Sequence, residues 1–280
     1  MMRIIFLSVF FVLASCKGEY LIEEPPQLVV EGWIDANGFP VVILTETLPI
    51  SEDEISVLTL EEHLIKWAKV TVCDGEREVV LNGKMDKSYF PPYIYTTSHM
   101  RGIPGKKYKL TVSYEDYYAE AETIIPQPVE IDSFSVHSIN GSGGYYQVVA
   151  HISDNPDENN YYKAFSYAST SKYPSYTGTY MGIVNDAVLD EHVCLSIYRS
   201  RTIDNWENYE QYFTYGEKVM IKISQLDQIG YRFWEAYEVV SSLSRNPLFP
   251  VTEGLPSNVK GAMGYWLGYG SNQYLIEIKD

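Results

Sequence analysis

Apolar and polar residues alternate along most of this chain in short segments bounded by Gly, Pro, Asn and Asp, the signature of half-buried strands. Leu28 to Ile34 (LVVEGWI) and Val41 to Thr47 (VVILTET) flank the turn Asp35-Ala36-Asn37-Gly38 and predict a first hairpin. A second is predicted where Trp67 to Val72 and Arg77 to Leu81 flank Asp74-Gly75. Between them, residues 49–64 are acidic and weakly periodic, and read as an excursion or short helix. Tyr93 to Tyr95 is strand-like, and a Gly/Pro turn at 102–105 feeds a strand placing Tyr108, Leu110 and Val112 on one face. A tyrosine entering a late strand after such a turn is the pattern of a tyrosine corner. Ala119 to Ile125 closes this set ahead of Pro126 and Pro128. So many short strands in about 100 residues predict a β-sandwich of immunoglobulin-like or transthyretin-like form.

Beyond Pro128 the alternation resumes at Ser133 to Ile139 and Tyr145 to Ile152, around the glycine-rich turn Gly141 to Gly144. Further strands are expected at Tyr161 to Tyr167, His192 to Tyr198 and Lys218 to Ser224. One segment changes period. Ile229, Phe233, Ala236, Tyr237, Val240 and Leu243 recur at three and four, predicting an amphipathic helix over 225–243, with Ser224 as N-cap and Pro247 beyond its end. Strand-like Gly264 to Tyr269 and Tyr274 to Ile278 suggest a final hairpin, with Asn258 and Gly261 in the turn that feeds it. The expected fold is mainly β: a sandwich at 27–126, then a β-rich region at 127–280 carrying one helix.

The first residues carry an address. Arg3 precedes the apolar run Ile4 to Val12, too short to span a bilayer as a helix, so it reads as a secretory signal covering residues 1–15. The signal ends Leu13-Ala14-Ser15-Cys16, which resembles the lipobox of bacterial lipoproteins. That resemblance implies cleavage before Cys16 and acylation of it, with residues 16–26 as a lipidated tether stiffened by Pro25-Pro26. Outer-membrane anchoring is the expectation, with the cell-surface face favoured over the periplasmic one by Lys17 and Glu19.

Charge and composition narrow the partners. Loss of Arg3 with the signal moves the formal charge from −16 to −17, which argues against nucleic acid. Cys73 and Cys194 fit no zinc-ligand spacing, and their pairing is left open. The 25 tyrosines are spread along the chain. Dispersed exposed sheet faces are the reading of choice, with a stacking surface for sugars or peptides as the alternative.

Motifs for catalysis are not apparent. His63, His99, His137, His151 and His192 form neither HExxH nor a helical ligand pair, and no GxSxG or phosphate-binding loop occurs. The sequence offers one candidate for calcium, the oxygen-rich loop with Asp154, Asp157 and Glu158. It departs from the EF-hand pattern, and turn chemistry alone accounts for such residues. No cofactor is expected.

The ordered strings LVVEGWI, WAKVTVCDG, PPYIYTT, GKKYKLTV, ETIIPQPV, DNPDENNYY, NPLF and LPSNVKGAMGYWLGYG, behind a lipobox, together resemble the domain of unknown function 4249 family. These are lipoproteins of Bacteroidota often encoded beside TonB-dependent outer-membrane transporters. The resemblance covers nearly the whole mature chain and implies an envelope accessory protein, with no catalytic residues to carry over. The expected function is therefore a non-enzymatic binding or accessory module associated with such a transporter. An independent surface protein binding glycans or peptides is the alternative, and a hydrolase with a scattered site a third.

Overall fold

The computed structural model describes residues 25–47, 61–139, 144–153, 158–186, 192–201, 208–243 and 254–279. Cys16 with the signal, most of the acidic excursion at 49–64, Gly141 to Gly143, Asp154 and Asp157, and Pro247 lie outside them. The described chain is mainly β with one long helix, as the alternation predicts. Its strands are β1 (Leu28–Asp35), β2 (Pro40–Glu46), β3 (Lys69–Cys73), β4 (Glu78–Met85), β5 (Tyr93–Thr96), β6 (Lys107–Tyr114), β7 (Tyr117–Ile124), β8 (Ser133–Ser138), β9 (Tyr145–Ser153), β10 (Tyr161–Ala168), β11 (Thr177–Asn185), β12 (His192–Ile197), β13 (Phe213–Thr214), β14 (Lys218–Leu226) and β15 (Met263–Glu277). The helix α1 spans Gln228–Leu243.

Eleven strands form one sheet in the order β11-β10-β14-β15-β1-β2-β5-β4-β3-β6-β7, and β8, β9, β12 and β13 form a second of four. The N-terminal end of the large sheet curls back over its middle. Thr123 of β7 accepts a hydrogen bond from the Gly268 amide of β15 at 2.7 Å, and Glu120 exchanges backbone bonds with Lys260. Inside the curl lies a core containing Val30, Leu44, Val70, Val72, Leu81, Tyr108, Leu110 and Val112, with Val259 and Trp266 from the far end of the chain. A second core lies where the small sheet meets β10 and β14, with Val148, Ala150, Val193, Leu195, Val219, Ile221 and Ile223.

Local chemistry explains several elements. Tyr108 is fully buried, its hydroxyl donating to the Arg101 carbonyl and accepting from the Ile103 amide, the tyrosine corner that the turn pattern predicts. The helix starts later than the sequence suggests. Ser224 is a strand residue whose hydroxyl pairs with that of Ser271, and Asp227 caps the helix by accepting from the Gly230 amide at 2.7 Å. Strand β14 keeps hold of Ser224 because it is flanked by partners on both sides, β10 and β15.

The expected final hairpin is instead the single 15-residue strand β15, parallel to β1 and antiparallel to β14. Its small residues serve packing. At Gly268 a Cβ would lie 2.6 Å from the Ile124 carbonyl oxygen, so glycine lets the end of β7 cross the strand. Gly261, with φ +80°, packs against the Tyr118 carbonyl, the close approach expected of it. No helix among the described residues is long and apolar enough to cross a membrane.

Candidate functional site

Alternation along three neighbouring strands creates the site. In β1, Val30, Gly32 and Ile34 point to the first core, which leaves Val29, Glu31, Trp33 and Asp35 on the opposite face. In β15, Trp266 joins that same core, while Tyr265, Leu267, Tyr269 and Ser271 face away. In β14, Val219, Ile221 and Ile223 fill the second core and leave Lys222 and Ser224 on the open side. Helix α1 lies on this face of the sheet and brings Phe233 and Trp234, both nearly buried, against Tyr265, Tyr269 and Phe165.

Two adjoining clefts open on this face. The first, of about 420 Å³, runs beneath α1 and is walled by Trp33, Phe165, Phe233, Trp234, Tyr265 and Tyr269, with Glu31 among them. The second, of about 680 Å³, is more polar, with Asn82, Asp86, Ser88, Thr96, Tyr167 and Gln273 in its lining. Trp33, Tyr89, Tyr176 and Lys222 border both, so the two form one trough.

Besides Asp86, which pairs with Lys84 at 3.0 Å, three carboxylates lie on or beside this surface. Asp35 receives Lys222, whose Nζ sits 3.0 and 3.2 Å from its two oxygens, and also the Ser271 hydroxyl at 2.7 Å. The same ammonium lies 4.5 Å from the Phe165 ring centre, 4.9 Å from Tyr269 and 5.4 Å from Tyr176. Glu238 of α1 receives Lys163 at 2.7 Å, and that ammonium also donates to the Thr179 carbonyl and lies 5.0 Å from the Trp234 ring. Burial pulls the Lys163 ammonium below its ordinary pKa, and Glu238 opposes the shift.

Glu31 is the exception. The parallel register sets it directly beside Tyr265, whose hydroxyl donates to it at 2.9 Å. No lysine or arginine among the described residues pairs with it. Burial raises its pKa, and the Tyr265 hydrogen bond only partly offsets this. Tyr265 and Tyr269 are themselves pushed well above the ordinary phenol value by burial, so both remain donors across the physiological range.

The residues singled out in the sequence lie elsewhere. Glu158 is exposed ahead of β10, and its partners in the calcium candidate fall outside the described residues. Cys73 and Cys194 are free thiols on β3 and β12. On the small sheet the Ser135 hydroxyl bridges His137 and His151 at 2.8 Å each, and His151 meets Cys194 at 3.5 Å. No group of three or more His, Cys, Asp or Glu among the described residues could hold a metal ion.

Of the 25 tyrosines, some stay exposed as expected, such as Tyr118 on β7 and Tyr215. Tyr89, Tyr176, Tyr237, Tyr265 and Tyr269 instead converge on one cleft, the arrangement that the alternative of a stacking surface calls for. Sequence reasoning missed Glu31, Trp33, Asp35 and Lys222 as a set. The available signal was a charge inside each of two strongly apolar strands, LVVEGWI and KVMIKIS.

Comparison with known proteins places the chain by sequence. The family model described as Domain of unknown function (DUF4249) matches residues 18–274. No curated protein matches. Among solved structures, one titled "Crystal structure of CBD12 from CALX1.2" is 11% identical and covers 90% of this chain and 99% of that one. Its TM-score is 0.18.

Proposed function

We propose, from the premise that this chain belongs to the DUF4249 family, that it is a lipid-anchored, non-enzymatic binding module of the outer membrane. The observation that carries the reading is the aromatic trough beneath α1. Concave, largely apolar surfaces with a few converging polar groups are where small ligands bind. Here the polar groups are Glu31, the hydroxyl of Tyr265 and the Lys222–Asp35 pair. In this reading Cys16 carries the lipid, residues 16–26 hold the body off the membrane, and a TonB-dependent transporter is the partner that receives the ligand.

A second reading, a surface binder of glycans working without a transporter, draws on the polar cleft. There Trp33, Tyr89, Tyr167 and Tyr176 offer ring faces beside hydroxyl and amide groups, a combination suited to sugar rings. A tagged pull-down from gently solubilised native outer membranes separates the two, with Cys16→Ala as the unanchored control. Recovery of one transporter in stoichiometric amount supports the accessory role. A membrane-bound protein that comes down alone supports the glycan reading, and a wild-type protein absent from the outer membrane overturns both.

A further inference from the structure

We propose that the aromatic cleft beneath α1 binds a small organic cation, an alkylammonium group seated between the Glu31 carboxylate and the surrounding rings. This rests on the reading of the trough as a binding site and names the chemistry of its ligand.

One pattern is repeated across this surface. Lys222 lies against Asp35 and the rings of Phe165, Tyr176 and Tyr269. Lys163 lies against Glu238 and the ring of Trp234. In both places an ammonium taken out of water is compensated twice, by a carboxylate and by the electron-rich faces of aromatic rings. Glu31 has the same surroundings, with Tyr265 bonded to it and Trp33, Phe233, Trp234 and Tyr237 lining the same cleft. It differs in having no protein cation among the described residues.

The two protein ammonium groups cannot supply it, since Lys222 and Lys163 are each engaged with their own carboxylates. A carboxylate held in such a place costs stability unless something compensates it. A bound alkylammonium would do so, using rings already in position. An anionic ligand would meet Glu31 with like charge, and a neutral one would do nothing to hold it ionised. The cleft volume of about 420 Å³ suits a small molecule.

Titration calorimetry of the detergent-solubilised, full mature lipoprotein tests this with two probes of matched shape, choline and its uncharged tert-butyl analogue. Choline is expected to bind about tenfold tighter or better. Glu31→Gln should remove that preference while leaving the protein folded, since it removes the ionisable group and keeps the volume. Trp33→Ala should weaken choline binding as a second, independent check. Equal binding of both probes, or choline binding unchanged in Glu31→Gln, overturns the cation while leaving the trough as a binding site. No binding of either probe also overturns it, and recovery of a transporter in the membrane pull-down would then show that the accessory reading survives alone.

Discussion

Single side chains hold this fold through bonds to backbone, and Asp74 shows how. At the turn between β3 and β4 its Oδ1 accepts from the amides of Glu76 and Arg77 at 3.1 and 3.0 Å, while Oδ2 meets Lys106 at 3.2 Å. Burial favours the neutral acid, but the two amides and the ammonium outweigh it and hold the pKa at about 2 against an ordinary 3.8. A depressed folded pKa means that the carboxylate's stabilisation is complete above the ordinary value and is lost as pH falls towards about 2. Thermal midpoints measured down through that window should therefore fall less steeply in Asp74→Asn than in wild type. Identical slopes would show that the turn does not depend on the charge. At this scale the sequence was readable where a residue type has one local use, as with Asp74-Gly75 at a turn and Tyr108 after Gly105. Glu31 and Lys222 were not readable as site residues, because their meaning depends on strands that are neighbours only in space.

At the scale of elements, α1 is fastened to the sheet by packing and by one ion pair. Phe233 and Trp234 insert among Phe165, Tyr265 and Tyr269, while Lys163 reaches from β10 to Glu238. Lys163 is 1% exposed, so Glu238→Ala would strand its ammonium beneath the helix. The expected loss is about 3 kcal/mol in chemical denaturation. Replacing both partners, Lys163→Met with Glu238→Leu, should recover most of it, because an apolar pair of similar volume needs no compensation. A double variant as unstable as the single one would locate the loss in something other than the ion pair. The helix itself was legible from the three-and-four spacing of Ile229, Phe233, Ala236, Tyr237 and Val240, and only its start was misplaced. Ser224 and Asp227 are both good capping residues, and the choice between them was made by sheet pairing with β10 and β15, which local sequence does not encode.

Across the whole molecule, one strand connects the parts. Strand β15 lies beside β1 in parallel register, from Val29 opposite Met263 to Asp35 opposite Tyr269, and pairs on its other edge with β14. It gives Trp266 to the first core and Tyr265 and Tyr269 to the cleft, so packing and the candidate site arise from alternate residues of one segment. The mainly β class was legible because alternation is local. The parallel pairing of the chain's first described strand with its last was not, since no turn joins them and each reads as an ordinary half-buried strand. The trough inherits that opacity, since it draws residues from β1, β4, β5, β10, β11, β14, β15 and α1.

Binding in this trough can be followed through tryptophans that report on it separately. Trp33 and Trp234 line the cleft, Trp266 is buried in the first core, and Trp67 is 88% exposed elsewhere. The measurement is the indole N–H spectrum of isotope-labelled protein during titration with a small-molecule extract of the native cells. The Trp33 and Trp234 signals are expected to shift together and saturably while those of Trp67 and Trp266 stay in place. Shifts confined to Trp67 or Trp266, or none at all, would contradict it.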